Sequence, residues 1–219
     1  MIYLPITFFL FLALILLLPI LVFALGLDIM TVVFQKLNLS ARTGFIVYFA
    51  SLLGSMVNIP ISKRESFIED IGDNLFYRLF LPRPPLIKEH IIIAINLGGA
   101  VIPVLLSIYL LLRTPVIPVI ICTVLIAIVT HLLARPIRGF GIALPTFVPP
   151  LLAALFASLF SKNCTPCVAY ISGVLGTLIG ADILNLRRLD RIGSGMMSIG
   201  GAGVFDGIFL TGVVAVLLV

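Results

Sequence analysis

Long apolar stretches follow one another along the chain, with short polar segments between them. A helix that crosses a bilayer needs about 20 mostly apolar residues, because each residue adds about 1.5 Å and the hydrocarbon core is about 30 Å thick. The runs are too long and continuous for the alternating strands of a transmembrane barrel. The pattern therefore predicts an all-α transmembrane bundle of seven helices, which cover residues 4–25, 43–61, 90–112, 115–133, 144–160, 168–186 and 200–219.

Composition points to lipid as the main solvent. Of the 219 residues, 61% are hydrophobic and only 11% are charged, whereas about 25% are charged in an average soluble domain. The first stretch has no basic segment before it and is longer than the apolar region of a signal peptide, so it is expected to be retained. We predict a single transmembrane domain over residues 1–219, in the cell membrane and crossing it several times.

The formal net charge of +5 would suit a nucleic-acid partner, but the distribution of the basic residues favours another explanation. Most of the fourteen Lys and Arg residues fall in the second, fourth and sixth predicted loops. Because cytoplasmic loops are enriched in basic residues, these loops and the N-terminus are predicted to be cytoplasmic. The basic residues in question are Lys63, Arg64, Arg78, Arg83, Lys88, Arg135, Arg138, Arg187, Arg188 and Arg191.

The longest polar segment covers residues 62–89, on the predicted cytoplasmic side. Its apolar side chains recur at helical spacing and its acidic side chains take the other faces, which is typical of an amphipathic helix lying in the membrane interface. A connecting surface helix is favoured over a gate or a partner-docking element. The apolar positions are Phe67, Ile68, Ile71, Leu75, Leu79 and Phe80.

Two acidic residues stand apart from the loops. Asp182 lies near the end of the sixth predicted helix, and Asp206 lies six residues into the seventh. A carboxyl group at such depth costs about 2–3 kcal/mol on insertion scales, so an intramembrane acid indicates a functional site. The two helices run in opposite directions, and both acids would lie near the same boundary. Two carboxyl groups at one site share a proton and can act as acid and base on one water molecule.

Small residues surround these acids at helical spacing. Gly180 lies two residues before Asp182, and Gly203 and Gly207 flank Asp206. Small side chains allow helix backbones to approach closely, or leave room for an extended peptide. Asn185 follows Asp182 by three residues and is predicted to share its face and hydrogen-bond its carboxyl group.

Three short motifs resemble those of the presenilin and signal peptide peptidase class of intramembrane aspartyl proteases. Phe205-Asp206 resembles the Tyr-Asp motif of that class, and Ile179-Gly180-Ala181-Asp182 resembles its Gly-x-Gly-Asp motif. Ala143-Leu144-Pro145 resembles part of its Pro-Ala-Leu motif, although the order of the motifs differs. The resemblance implies a hydrolase with Asp182 and Asp206 as catalytic residues and a membrane-embedded peptide as substrate.

The wider pattern around both acids also resembles an uncharacterised prokaryotic family of multi-pass membrane proteins with a domain of unknown function. That likeness implies no activity.

Two alternatives remain open for the acids. Intramembrane aspartates bind Na⁺ or H⁺ in carriers and channels, where helices broken by Gly and Pro expose backbone carbonyls. The chain has such breaks at Gly98-Gly99 and at Gly200-Gly201. A purely structural role would pair Asp182 with a neighbouring arginine and let it reach the interface. The order of preference is protease, then carrier, then scaffold.

Cys164 and Cys167 form a CxxC pair in the predicted fifth loop, outside the membrane. A disulfide is stable there, so a structural disulfide is favoured over a redox dithiol. A metal site would need a second pair of ligands. We therefore expect no metal. We also expect no cofactor and no nucleic-acid partner. The lipid bilayer is an expected partner, and homo-oligomerisation stays open.

Overall fold

Helices make up most of the structure. The structure is a computed structural model that describes residues 6–68, 87–137, 141–186, 195–201 and 207–219. Two π-helical segments, Leu97–Val101 and Leu178–Ile183, lead into α3 and out of α6 respectively. The helices of the described parts are α1 (Ile6–Lys36), α2 (Ala41–Gly54), α3 (Ile102–Leu111), α4 (Val116–Leu133), α5 (Val148–Phe160), α6 (Thr165–Thr177) and α7 (Gly207–Leu218).

Two small sheets accompany the helices. The larger has three strands, with β2 at its centre, antiparallel to β1 and parallel to β5. The smaller is an antiparallel pair of β3 and β4. The prediction of an all-α fold is therefore wrong in this respect. The strands are β1 (Asn58–Ile68), β2 (Ile87–Asn96), β3 (Arg135–Ile137), β4 (Gly141–Ala143) and β5 (Gly195–Ile199).

Three helical stretches are long and apolar enough to cross a bilayer, namely Leu14–Lys36, Val116–Leu133 and Thr165–Ile183. These stretches indicate a membrane protein. Seven spans and a cytoplasmic N-terminus stay predictions. The other apolar helices of the described parts are shorter, at Ala41–Gly54, Leu97–Leu111, Val148–Phe160 and Gly207–Leu218.

The predicted second and third spans are the ones that differ most from the structure. The second ends as a helix at Gly54 and continues as β1, and residues 90–96 of the third form β2. Ile91 and Ile93 are buried in a small core with Met197 and Ile199 of β5. A run of β-branched residues that is buried on a sheet has the same apolar pattern as a buried helix, which is why the sequence suggested one.

The amphipathic helix predicted for residues 62–89 is wrong at both described ends, because residues 62–68 and 87–89 belong to the antiparallel pair of β1 and β2. The middle of that segment, residues 69–86, lies outside the described residues.

Asparagine side chains join the sheet to α2 and to the π-helical segment before α3. The Asn96 Nδ2 donates to the Ser55 carbonyl oxygen at 2.7 Å and to the Asn58 Oδ1 at 3.1 Å. The Asn96 Oδ1 accepts from the Gly99 backbone N–H at 2.7 Å, and the Ser198 hydroxyl donates to the Asn58 Oδ1 at 2.6 Å. Buried Asn96 thus satisfies backbone groups that the change from strand to helix leaves without partners.

The sixth helix lies at the centre of the bundle. In its most apolar stretch 67% of the residues are buried, against 28% for α4 and 6% for α1. The glycines of this helix set its distance from α4. A Cβ atom on Gly180 would lie 2.0 Å from the Thr130 Oγ1 and 2.3 Å from the Ala127 carbonyl oxygen. Only a glycine permits this close approach, which places the end of α6 and the π-helical segment that carries Asp182.

Candidate functional site

The candidate site is built on the π-helical segment Leu178–Ile183 at the end of α6. The backbone N–H of Leu184 donates to the carbonyl oxygen of Ile179 at 2.9 Å, a bond that spans five residues and defines a π turn. The Asn185 Nδ2 donates to the carbonyl oxygens of Gly180 and Ala181, both at 3.0 Å. Single π turns inside α-helices occur frequently at functional sites.

The predicted partner of Asn185 is therefore wrong. Both hydrogens of its amide group are used on the two carbonyl oxygens of the π turn, so they are not available to the Asp182 carboxylate. The physical reason is that the last carbonyls of a helix have no backbone donor, and a buried amide directly after the helix supplies one. Asn185 is 1% exposed, so its amide group is shielded from solvent.

Asp182 connects the π turn to the large sheet. Its Oδ2 accepts a hydrogen bond from the backbone N–H of Gly200 at 3.2 Å. Gly200 and Gly201 follow β5 directly and have φ angles of +83° and +103°, which L-residues with side chains rarely adopt. The glycine pair therefore lets the chain turn sharply at the end of β5 and present an N–H to the carboxyl group.

A cavity of about 340 Å³ opens beside Asp182. Its volume lies within the range of about 300–1,000 Å³ that is common for small-molecule sites. Most of the residues that line it are apolar, and the polar ones are Asp182 and three threonines. The wall is formed by Ile142, Ala143, Leu144, Thr146, Pro149, Thr177, Ala181, Asp182, Gly207, Ile208, Leu210 and Thr211.

Four of the residues predicted for the site meet at this cavity: Ala143, Leu144, Asp182 and Gly207. They come from β4 and the loop after it, from the π turn and from the start of α7, which are far apart in the sequence. Among the described residues, no heavy atom would lie within 4 Å of a Cβ atom added to Gly207, so this glycine leaves open space toward them. The structure thus groups the Ala-Leu motif, one predicted acid and the start of the last helix.

Other predicted residues take different places. Gly180 packs against α4, and Pro145 lies in the loop next to the wall, where its carbonyl oxygen accepts from the Val148 N–H at 3.2 Å. Asp206 and Gly203 lie outside the described residues. Gly207, which does line the cavity, is joined covalently to Asp206.

Sequence reasoning missed two threonines of the wall, Thr146 and Thr177, and named Thr211 only as a small residue at helical spacing from Gly203 and Gly207. Thr177 precedes Asp182 by five residues, a spacing that places two side chains on different faces of an ordinary α-helix. The π turn brings the two side chains toward the same face, and no feature of the sequence predicted a π turn here.

The two cysteines of the CxxC pair lie at the other end of α6. Cys164 is the residue that precedes the helix, and Cys167 is buried in its first turn. Both are free thiols in the structure. The disulfide between them stays a prediction.

Comparison with known proteins places the chain in a family. Residues 52–218 match the profile of a family described as protein of unknown function (DUF1614). The chain belongs to the DUF1614 family. This confirms the expected likeness to a family of unknown function. The DUF1614 match runs from the last turn of α2 to α7 and therefore includes every element that lines the cavity. No curated protein and no solved structure matches the chain.

Proposed function

We propose that this DUF1614 member is an intramembrane aspartyl protease that hydrolyses a peptide bond with Asp182 and Asp206. One observation carries the proposal: Asp182, the Ala143-Leu144 pair and Gly207, the covalent neighbour of Asp206, line one cavity. These are the places where the resemblance to presenilin-type proteases puts the site. The wall is otherwise mostly apolar, which suits a peptide that arrives from lipid.

The proposed reaction needs only two carboxyl groups and water. In the ground state one carboxyl group is protonated and the other is ionised, since two adjacent negative charges are unfavourable. The ionised group takes a proton from water, whose oxygen attacks the peptide carbonyl carbon, while the protonated group gives its proton to the carbonyl oxygen. In the collapse of the tetrahedral diol, the carboxyl group that took the proton from water gives it to the nitrogen, and the other carboxylate takes a proton from a diol hydroxyl. The C–N bond breaks, an amine and a carboxylic acid are released, and the two carboxyl groups return to their starting states.

Asp182 has a structural basis for its part in this reaction. The Gly200 N–H holds its Oδ2 at 3.2 Å, and the capped π turn fixes the backbone that carries it. A hydrogen bond from a backbone N–H favours the ionised form of a carboxyl group. We therefore assign Asp182 as the general base and Asp206 as the acid in the attack step.

Substitution of each acid tests the proposal. The protein is reconstituted in liposomes with a fluorogenic peptide that carries a transmembrane segment, and cleavage is followed for the wild type, Asp182→Asn and Asp206→Asn. Loss of an acid or base costs about 10²–10⁴-fold in rate, so each variant should cleave at least about 100-fold more slowly. Asp28→Asn is the matched control, because Asp28 is an exposed acid on α1.

Two results would contradict the proposal. One is cleavage by either site variant at the wild-type rate. The other is a wild-type protein that stays folded in liposomes and cleaves none of a set of peptides with different transmembrane sequences.

An ion-coupled carrier is the second candidate, and the non-helical Gly200-Gly201 turn beside Asp182 favours it. Broken helices expose backbone carbonyl oxygens, which coordinate Na⁺ together with a carboxylate. A carrier of this kind should show a rise in melting temperature with Na⁺ that is absent in Asp182→Asn, because a ligand that binds only the folded state stabilises it. A protease that needs only water should show the same melting temperature in Na⁺ and in choline.

A further inference from the structure

Thr177 carries a buried hydroxyl group that makes no hydrogen bond to any described residue. The residue is 3% exposed, and its Oγ1 has no hydrogen-bond partner among the described residues. Two other helical threonines do find one. The hydroxyl groups of Thr130 and Thr211 donate to the carbonyl oxygens four residues earlier, at Ile126 and Gly207. A buried polar group without a partner destabilises the folded state, so its presence needs an explanation.

The π turn brings this threonine toward the acid. In an α-helix, residues five apart differ by about 140° around the axis, because each residue turns by about 100°. A π turn closes its hydrogen bond over five residues instead of four, which moves such a pair toward one face. Consistent with this, Thr177 and Asp182 both line the 340 Å³ cavity.

We propose that the Thr177 hydroxyl binds the peptide in this cavity by donating a hydrogen bond to a backbone carbonyl oxygen of the substrate, beside the peptide bond that is hydrolysed. Threonine in a helix divides between two χ1 rotamers, so the hydroxyl can turn into the cavity when a ligand offers an acceptor. Thr177 is thus a residue that positions the substrate. The inference rests on the proposed protease function.

The test compares two substitutions at this position. Thr177→Val keeps the shape of the side chain and removes the hydroxyl, while Thr177→Ser keeps the hydroxyl. One neutral hydrogen bond contributes up to about 1.4 kcal/mol, which corresponds to a loss of about tenfold in kcat/KM for Thr177→Val. Thr177→Ser should stay within about twofold of the wild type. Thr177→Val should melt at the wild-type temperature or above it, because it removes a hydroxyl without a partner.

Thr123 provides the matched control. Its Oγ1 is also buried and without a partner among the described residues, but it lies on α4 and does not line the cavity. Thr123→Val should therefore have wild-type kcat/KM.

The outcomes are separable. Wild-type kcat/KM for Thr177→Val overturns the role of Thr177 and leaves the proposed function intact, provided that Asp182→Asn is inactive. Equal losses in Thr177→Val and Thr123→Val, or a loss in Thr177→Ser as large as in Thr177→Val, assign the effect to packing and also overturn the inference. If Asp182→Asn cleaves as fast as the wild type, the proposed function fails, and the inference fails with it.

Discussion

Two glycines beside Asp182 have opposite surroundings, and substituting each by alanine tests the packing of the site. A Cβ atom on Gly180 would lie 2.3 Å from the carbonyl oxygen of Ala127, whereas ordinary contacts begin at 3.4 Å. The obstacle is backbone, so α4 and the π turn would have to separate by about 1 Å. A Cβ atom on Gly207 would meet no heavy atom of the described residues within 4 Å.

These contacts set the magnitudes. Overpacking costs about 1–3 kcal/mol, and we expect the upper end for Gly180→Ala, because no side-chain rotation relieves the clash. With about 2–4 °C per kcal/mol in a chain of this size, the melting temperature should fall by about 6–12 °C. Gly207→Ala adds a better helix former in open space, for which the gain is about 0.5–1 kcal/mol at most. Its melting temperature should stay the same or rise by about 2–4 °C.

The assay is thermal unfolding of the purified protein in detergent, followed by circular dichroism at two scan rates, since membrane proteins commonly unfold irreversibly. The informative result is which of the two variants has the lower melting temperature. A fall for Gly207→Ala as large as that for Gly180→Ala would refute the assigned cavity, and a tolerated Gly180→Ala would refute the close contact of the π turn with α4.

Two further predictions concern the two ends of α6, where Asn185 caps the π turn and the CxxC pair begins the helix. Asn185→Ala removes the two hydrogen bonds to the carbonyl oxygens of Gly180 and Ala181. The free energy of unfolding should fall by about 2 kcal/mol, measured in the same thermal assay. An unchanged melting temperature would show that water caps the turn equally well. Cys164 and Cys167 should form a disulfide on mild oxidation. Both thiols should then lose maleimide labelling, and the protein should still run as a monomer on a non-reducing gel. If one of the two thiols stays reactive, the pairing is contradicted.

Much of the helical part of the fold could be predicted from the sequence. The fourth span, predicted at 115–133, is a helix over Val116–Leu133, because an uninterrupted apolar run of that length has no other stable form in lipid. The sheet could not be predicted. The isoleucines of β2 form an apolar run that continues directly into the helical segment at Leu97, and periodicity does not separate a buried strand from a buried helix.

The candidate site shows the same division. Asp182, Ala143 and Gly207 were predicted because an intramembrane acid and nearby small residues are unusual enough to stand out, and the structure places all three at one cavity. Thr177 was missed, and Asn185 was given the wrong partner, for one reason. Both errors come from assuming a regular α-helix where the backbone forms a π turn, and a single added residue in a turn leaves no signal in the pattern of apolar positions.

The polar part of the cavity wall bears on how water reaches Asp182. Lipid tails offer water no hydrogen-bond partner, whereas the carboxyl group of Asp182 and the hydroxyl groups of Thr146, Thr177 and Thr211 do. The cavity of about 340 Å³ has room for several water molecules, because one molecule takes up about 30 Å³ in the liquid. Hydration of this wall would supply the reagent for hydrolysis at the place where the proposed chemistry consumes it.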